Sequence, residues 1–86
     1  MELNIYAVNR TGANKAFCGL NFQTREEALN FMFGLEFGLK KTHKTVALIA
    51  FCCGNLFHTI DVGQRFPLAI HQSEEDFLAQ LPKKDL

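Results

Sequence analysis

The fold is decided by the segment Thr24–Lys41, which reads TREEALNFMFGLEFGLKK. At 3.6 residues per turn, its apolar residues form two stripes on a helix. The first stripe, suited to packing on a sheet, contains Ala28, Phe31, Met32, Leu35 and Leu39. The second stripe contains Leu29, Phe33 and Phe37. A helix that is apolar on two sides has to be covered on two sides, and this surplus is the main functional clue in the chain.

The start of this helix is marked by a capping box. Thr24 is followed three residues later by Glu27, so the hydroxyl can accept a hydrogen bond from the first turn while the carboxylate reaches back. Gly34 and Gly38 each disfavour a helix by about 1 kcal/mol relative to alanine. Because the apolar period continues past both glycines, we expect the helix to extend to about Lys41.

Alternating apolar and polar residues predict two hairpins, one on each side of the helix. The predicted strands are 3–9, 15–22, 44–51 and 56–62. If the second and third strands share a sheet, a right-handed crossover through the helix sets them parallel.

The second hairpin has the more clearly marked turn. Gly54 and Asn55 suit a tight two-residue turn. This turn places Phe51 opposite His58, on the same face as Cys53. The opposite face is also largely apolar, so we expect the sheet to be covered on both sides.

The C-terminal part is predicted to add two short elements. Residues 66–70 alternate as in an edge strand that tolerates Pro67. Ser73 is the expected cap of a second helix at 74–81, which Pro82 ends. The apolar anchors of this helix would be Phe77, Leu78 and Leu81.

The resulting order, ββαββ(β)α, predicts an α+β domain over residues 1–81, followed by a flexible tail at 82–86. We expect a four- to five-stranded, mainly antiparallel sheet packed by one long helix.

Charge and composition exclude several classes of protein. Nine Lys and Arg balance nine Asp and Glu, so no overall field attracts the chain to nucleic acid or to an anionic membrane. The longest apolar stretch, 46–53, is too short for a membrane span, and the N-terminus lacks signal-peptide features. We therefore expect a cytoplasmic protein, with its three cysteines reduced.

Three groups of polar residues could carry chemistry. A basic cluster suited to anions comprises Lys40, Lys41, His43 and Lys44, although cations at a helix C-terminus also complement its dipole. Cys53 and His58 lack a third residue to orient the imidazole. No pair of ligands has a metal-binding spacing, so no metal or cofactor is predicted.

The leading functional hypothesis is a small non-enzymatic interaction module that buries its surplus apolar face in a homodimer or against a larger protein. An inhibitor, an antitoxin-like protein or a phage-type accessory protein would fit this description. The predicted interface comprises Leu29, Phe33 and Phe37, with Gly34 and Gly38 on its flank and Glu36 and Lys40 at its rim.

Three alternatives remain open from the sequence. Residues 66–81 would cover the second stripe within the same chain. A ligand-binding or enzymatic domain would have an apolar pocket between helix and sheet, near Phe51, His58 and Cys53. A nucleic-acid binder, disfavoured by the charge balance, would work through Arg10, Lys15 and the basic cluster.

Overall fold

The computed structural model describes residues 1–9, 12–42, 46–63 and 66–80. Its regular elements are β1 Glu2–Asn9, β2 Gly12–Asn21, α1 Arg25–Lys41, β3 Val46–Cys52, β4 Asn55–Val62, a 3-10 turn Leu68–Ile70 and α2 Glu74–Ala79. Over these ranges the structure confirms the predicted α+β class and element order, with four strands in one sheet.

Both ends of α1 are closed by hydrogen bonds to nearby residues. At the start, the Thr24 hydroxyl accepts from the Glu27 amide at 3.2 Å. The Glu27 carboxylate accepts from the Gln23 amide at 3.1 Å. At the end, the amide and hydroxyl of Thr42 both donate to the Leu39 carbonyl, at 3.2 and 2.8 Å. These bonds satisfy backbone groups that have no partner inside the helix, and the predicted boundaries are confirmed.

The strands lie in the order β2-β1-β3-β4, and every neighbouring pair is antiparallel. Because β1 runs antiparallel to both of its neighbours, β2 and β3 are parallel to each other, as predicted, but are separated by β1. The connection through α1 therefore crosses over β1 from one side to the other.

The turn between β3 and β4 lies one residue earlier than predicted. Its central residues are Cys53 and Gly54, with φ of 53° and 80°. Both angles are in the left-handed region that a two-residue hairpin turn of this type requires. Two bonds from a distant segment hold this end of the hairpin: the Glu74 amide donates to the Gly54 carbonyl at 2.8 Å, and the Leu56 amide donates to the Gln72 carbonyl at 2.9 Å. Neither hydrogen bond can be predicted from the residues of the turn itself.

The strand pairing also differs from the predicted register. Phe51 lies opposite Leu56, and Ala50 lies opposite His58, so Phe57 is an extra residue in β4. The prediction that Phe51 faces His58 is wrong. Because of the bulge, His58 points toward α1 together with Phe57, whereas Phe51 belongs to the core on the other face.

The sheet is covered on both faces, as predicted, by two separate apolar cores. Beneath α1 the buried residues are Leu3, Ile5, Ala28, Met32, Leu48, Ala50 and Ile60. On the other face, Leu68 of the 3-10 turn and Phe77 of α2 pack over four buried residues of the sheet, Tyr6, Ala47, Ile49 and Phe51. The C-terminal segment therefore covers the second face of the sheet.

The predicted edge strand at 66–70 is replaced by the 3-10 turn. Pro67 has no amide to donate to a neighbouring strand. The chain turns instead, and the amides of Ile70 and His71 donate to the carbonyls of Pro67 and Leu68 at 3.4 and 3.1 Å. Leu68 is thereby buried, while Ile70 is 63% exposed.

Only part of the predicted docking of the second helix is confirmed. Phe77 is fully buried, but Leu78 is 46% exposed because the next helical position turns away from the sheet. The predictions for Leu81 and for the tail at 82–86 lie outside the described residues.

Candidate interaction surface

The apolar stripe of α1, defined by Leu29, Phe33 and Phe37, is left uncovered by the described part of the chain. Phe33 and Phe37 keep 52% and 65% of their surface exposed. Leu29 is half-buried. The 3-10 turn and α2 lie on the opposite face of the sheet. The alternative that residues 66–81 cover the stripe is therefore wrong for the part of that segment that the structure describes.

Side chains from β4 extend the surface beside the stripe. The ring of Phe33 meets the imidazole of His58 edge-on, with 5.5 Å between centroids. The guanidinium carbon of Arg25 lies 5.0 Å from the centroid of the Phe57 ring. Phe33 thus rests against β4 and presents its remaining surface to solvent. The sequence pattern placed His58 on the face of Phe51 because the bulge that keeps it on the α1 side was not predicted.

The two glycines of α1 leave open space on the helix. Gly34 and Gly38 are exposed. An ideal Cβ built at either position meets no other group within 4 Å. The positions predicted to flank the stripe are therefore free for close approach of another chain.

Charged side chains border the stripe, as the sequence suggested. The Lys40 ammonium lies 3.4 Å from the Glu36 carboxylate, one turn earlier on α1. The Lys41 ammonium lies 5.3 Å from the centroid of the Phe37 ring. An exposed ion pair of this kind contributes at most about 1 kcal/mol to stability. These groups therefore keep a partly apolar helix face hydrated rather than holding the fold together.

The predicted basic cluster is described only in part. Lys40 and Lys41 occupy the last turn of α1, where their charge complements the helix dipole. Lys15 is exposed on β2. Arg10, His43 and Lys44 lie outside the described residues, so anion binding by this cluster stays a prediction.

The residues expected to line an apolar pocket are not brought together. Phe51 lies in the core beneath α2, His58 faces α1, and Cys53 is exposed in the hairpin turn. The thiol of Cys53 lies 3.9 Å from the thiol of Cys52. Burial raises the pKa of the Cys52 thiol, and its contact with Cys53 raises it further. Both cysteines are free thiols.

The described ranges contain no candidate metal site. No group of three or more His, Cys, Asp or Glu side chains within them is arranged to hold a metal ion. The imidazole atoms Nε2 of His58 and Nδ1 of His71 are buried without a hydrogen-bond partner among the described residues, but they lie on opposite faces of the sheet.

A polar cluster on the α2 side was not predicted from the sequence. The Tyr6 hydroxyl and the Asn4 amide both donate to the Glu74 carboxylate, the latter at 3.3 Å. Burial raises the pKa of Tyr6, and the bond to the Glu74 carboxylate adds to the shift. The cluster joins β1 to the start of α2, which is a structural role.

Comparisons with family models, curated proteins and solved structures found no match for this chain. In the described ranges, no helix is both long and apolar enough to cross a membrane.

Proposed function

We propose that this chain is a small non-enzymatic protein-interaction module, and that it buries the apolar stripe of α1 against another protein chain. The partner is either a second copy of the chain or a larger protein. An inhibitor or accessory protein that occludes a larger machine is the class of function that fits such a surface.

One observation carries the proposal. Phe33 and Phe37 project from a helix whose opposite side, at Ala28 and Met32, is fully buried. The exposed fractions of the two rings together equal roughly the whole surface of one Phe, about 200 Å². Burying that area is worth about 5 kcal/mol at 25 cal/mol per Å², before the costs of association are subtracted. No segment in the described part of the chain supplies this gain, because α2 is committed to the other face of the sheet. Contact with another chain would supply it.

The stripe can be tested by placing a charge on it. In Phe33→Glu and Phe37→Glu, the far-UV circular dichroism spectrum should match that of the wild type, since both side chains are largely exposed. The mass from light scattering should fall, or capture of a purified partner should be lost, because a charge at the centre of an interface is costly to bury.

The matched control is Met32→Glu, one position before Phe33. Met32 is fully buried on the side of α1 that faces the sheet, so this variant should unfold because it would bury an unpaired charge. The proposal fails if Phe33→Glu and Phe37→Glu leave both self-association and partner binding at the wild-type level. It also fails if Phe33→Glu unfolds the chain as Met32→Glu does while the wild type is monomeric and binds no partner.

A further inference from the structure

We propose that the partner on the apolar stripe is a second copy of this chain, and that the two α1 helices pack antiparallel about a twofold axis passing between Phe33 and Gly34. This inference rests on the proposed function, because it names the occupant of the same surface. It is carried by the charges at the ends of α1 and by the positions of its glycines.

The face of α1 that points away from the sheet is continuous and exposed. At 3.6 residues per turn, the positions opposite the buried Ala28 and Met32 form the crest of the helix. The crest residues are Glu26, Asn30, Phe33, Gly34, Phe37 and Lys41, and all of them are exposed. A second chain lying along the helix would contact this crest first.

The crest has opposite charges at its two ends. Glu26 lies in the first turn of α1 and Lys41 in the last. Among the described residues, neither side chain forms a hydrogen bond or an ion pair, and Lys41 contacts only the Phe37 ring. By contrast, Glu27 closes the cap and Lys40 pairs with Glu36. The free acid and the free base therefore stand at opposite ends of the same face, which favours an antiparallel copy over a parallel one.

One register satisfies the charges and the packing together. Placing Glu26 opposite Lys41 of the second copy also places Phe33 opposite Gly34 of that copy. The same register places Phe37 opposite Asn30 of that copy, and both residues lie on the crest. Phe33 thus enters space beside Gly34, where an added Cβ has no neighbour within 4 Å. A twofold axis makes every such contact occur twice, as an isologous interface requires.

The expected affinity is modest. A helix of 17 residues is about 26 Å long, so an interface confined to this crest is small compared with that of a stable dimer. We expect a monomer–dimer equilibrium with a dissociation constant in the micromolar range or weaker, measurable by sedimentation equilibrium between about 5 and about 500 μM.

Charge reversal tests both the partner and its direction. Glu26→Lys and Lys41→Glu each replace two attractive contacts by two repulsive ones, so each should weaken dimerisation at least about fourfold. The double variant Glu26→Lys/Lys41→Glu restores both attractive contacts and should return to within about twofold of the wild-type dissociation constant. Glu75→Lys on α2 makes the same change in net charge as Glu26→Lys, on the other side of the sheet, and should have no effect.

A second readout separates association from folding. Both substitutions oppose the dipole of their own helix, so the double variant should have the lowest melting temperature of the series. Recovery of the dimer together with this lower melting temperature supports the antiparallel pairing. The antiparallel pairing is overturned if the double variant dimerises as weakly as the single variants. It is also overturned if Glu26→Lys, Lys41→Glu and the double variant all dimerise as the wild type does.

The outcome also distinguishes this inference from the proposed function. A wild-type chain that is monomeric at about 500 μM, but binds a different purified protein through Phe33, overturns the dimer and leaves the interaction module in place. If Phe33→Glu changes neither self-association nor partner binding, both conclusions fail.

Discussion

Replacing Phe77 by alanine should remove a large part of the stability of the domain. The ring is fully buried. Its centroid lies 5.4 Å from those of Tyr6 and Phe51 and 5.3 Å from that of His71. Truncation of a buried Phe to Ala typically costs about 3–5 kcal/mol. A chain of 86 residues has a total stability of roughly 4–13 kcal/mol. The melting temperature should therefore fall by at least about 12 °C.

The measurement is thermal and urea unfolding followed by far-UV circular dichroism, with Leu78→Ala as the matched control on the same short helix. Leu78 is 46% exposed, so its truncation should cost less than about 1 kcal/mol. Similar, small effects of the two substitutions would show that α2 is not docked on the sheet. In that case the C-terminal segment would be free to cover the stripe of α1, and the case for an interaction surface would lose its basis.

Two further predictions concern the alkaline range and the helix cap. The folded state raises the pKa of Tyr6 above its unfolded value of about 10. The stability gained from keeping this hydroxyl protonated is therefore complete below about pH 10. It is lost as the pH rises further, by at most about 1.4 kcal/mol per pH unit. Tyr6 is the only tyrosine and the chain has no tryptophan, so tyrosinate absorbance at alkaline pH should appear only when the chain unfolds. Tyr6→Phe should make the free energy of unfolding less dependent on pH in this range. Tyrosinate formed in a folded chain would contradict this prediction. Thr24→Ala should lower the free energy of unfolding by about 1 kcal/mol in urea titrations, since it removes the 3.2 Å hydrogen bond from the Glu27 amide. Association should be unchanged. An unchanged urea midpoint would show that the cap is dispensable.

Features encoded by neighbouring residues could be predicted from the sequence. The spacing of Ala28 and Met32 marked the buried side of α1 because helical periodicity is local. Thr24 and Glu27 marked its start for the same reason. The two glycines did not end the helix, since the apolar contacts on either side of them continue.

Features that depend on distant residues were not predictable. The turn at Cys53 and Gly54 is fixed in part by the Glu74 amide, which lies far along the chain. Because of the bulge at Phe57, the residues that follow it point to the face of the sheet opposite to the one that regular alternation predicts. No local pattern near the hairpin contains this information, so the predicted grouping of Phe51 with His58 was wrong.

The candidate surface could be identified from the sequence because it depends only on the geometry of one helix. What the sequence left open was whether the chain itself covers Phe33 and Phe37. For residues 66–80, that question is answered by the position of α2, whose anchor Phe77 belongs to the core on the other side of the sheet. A six-residue helix with one buried anchor has no second apolar face to offer.

The composition of α1 is hard to explain by the folding of a single chain. Gly34 and Gly38 have ordinary negative φ and open space at their Cβ positions, so alanine would fit at both. Each glycine costs about 1 kcal/mol relative to alanine inside a helix. Phe33 and Phe37 leave apolar area in water on the same stretch. Both features oppose the stability of an isolated monomer, and both favour contact with another helix, because glycine permits close approach and phenylalanine supplies the area to be buried. The proposed association would account for the two together, whereas the folding of a single chain accounts for neither.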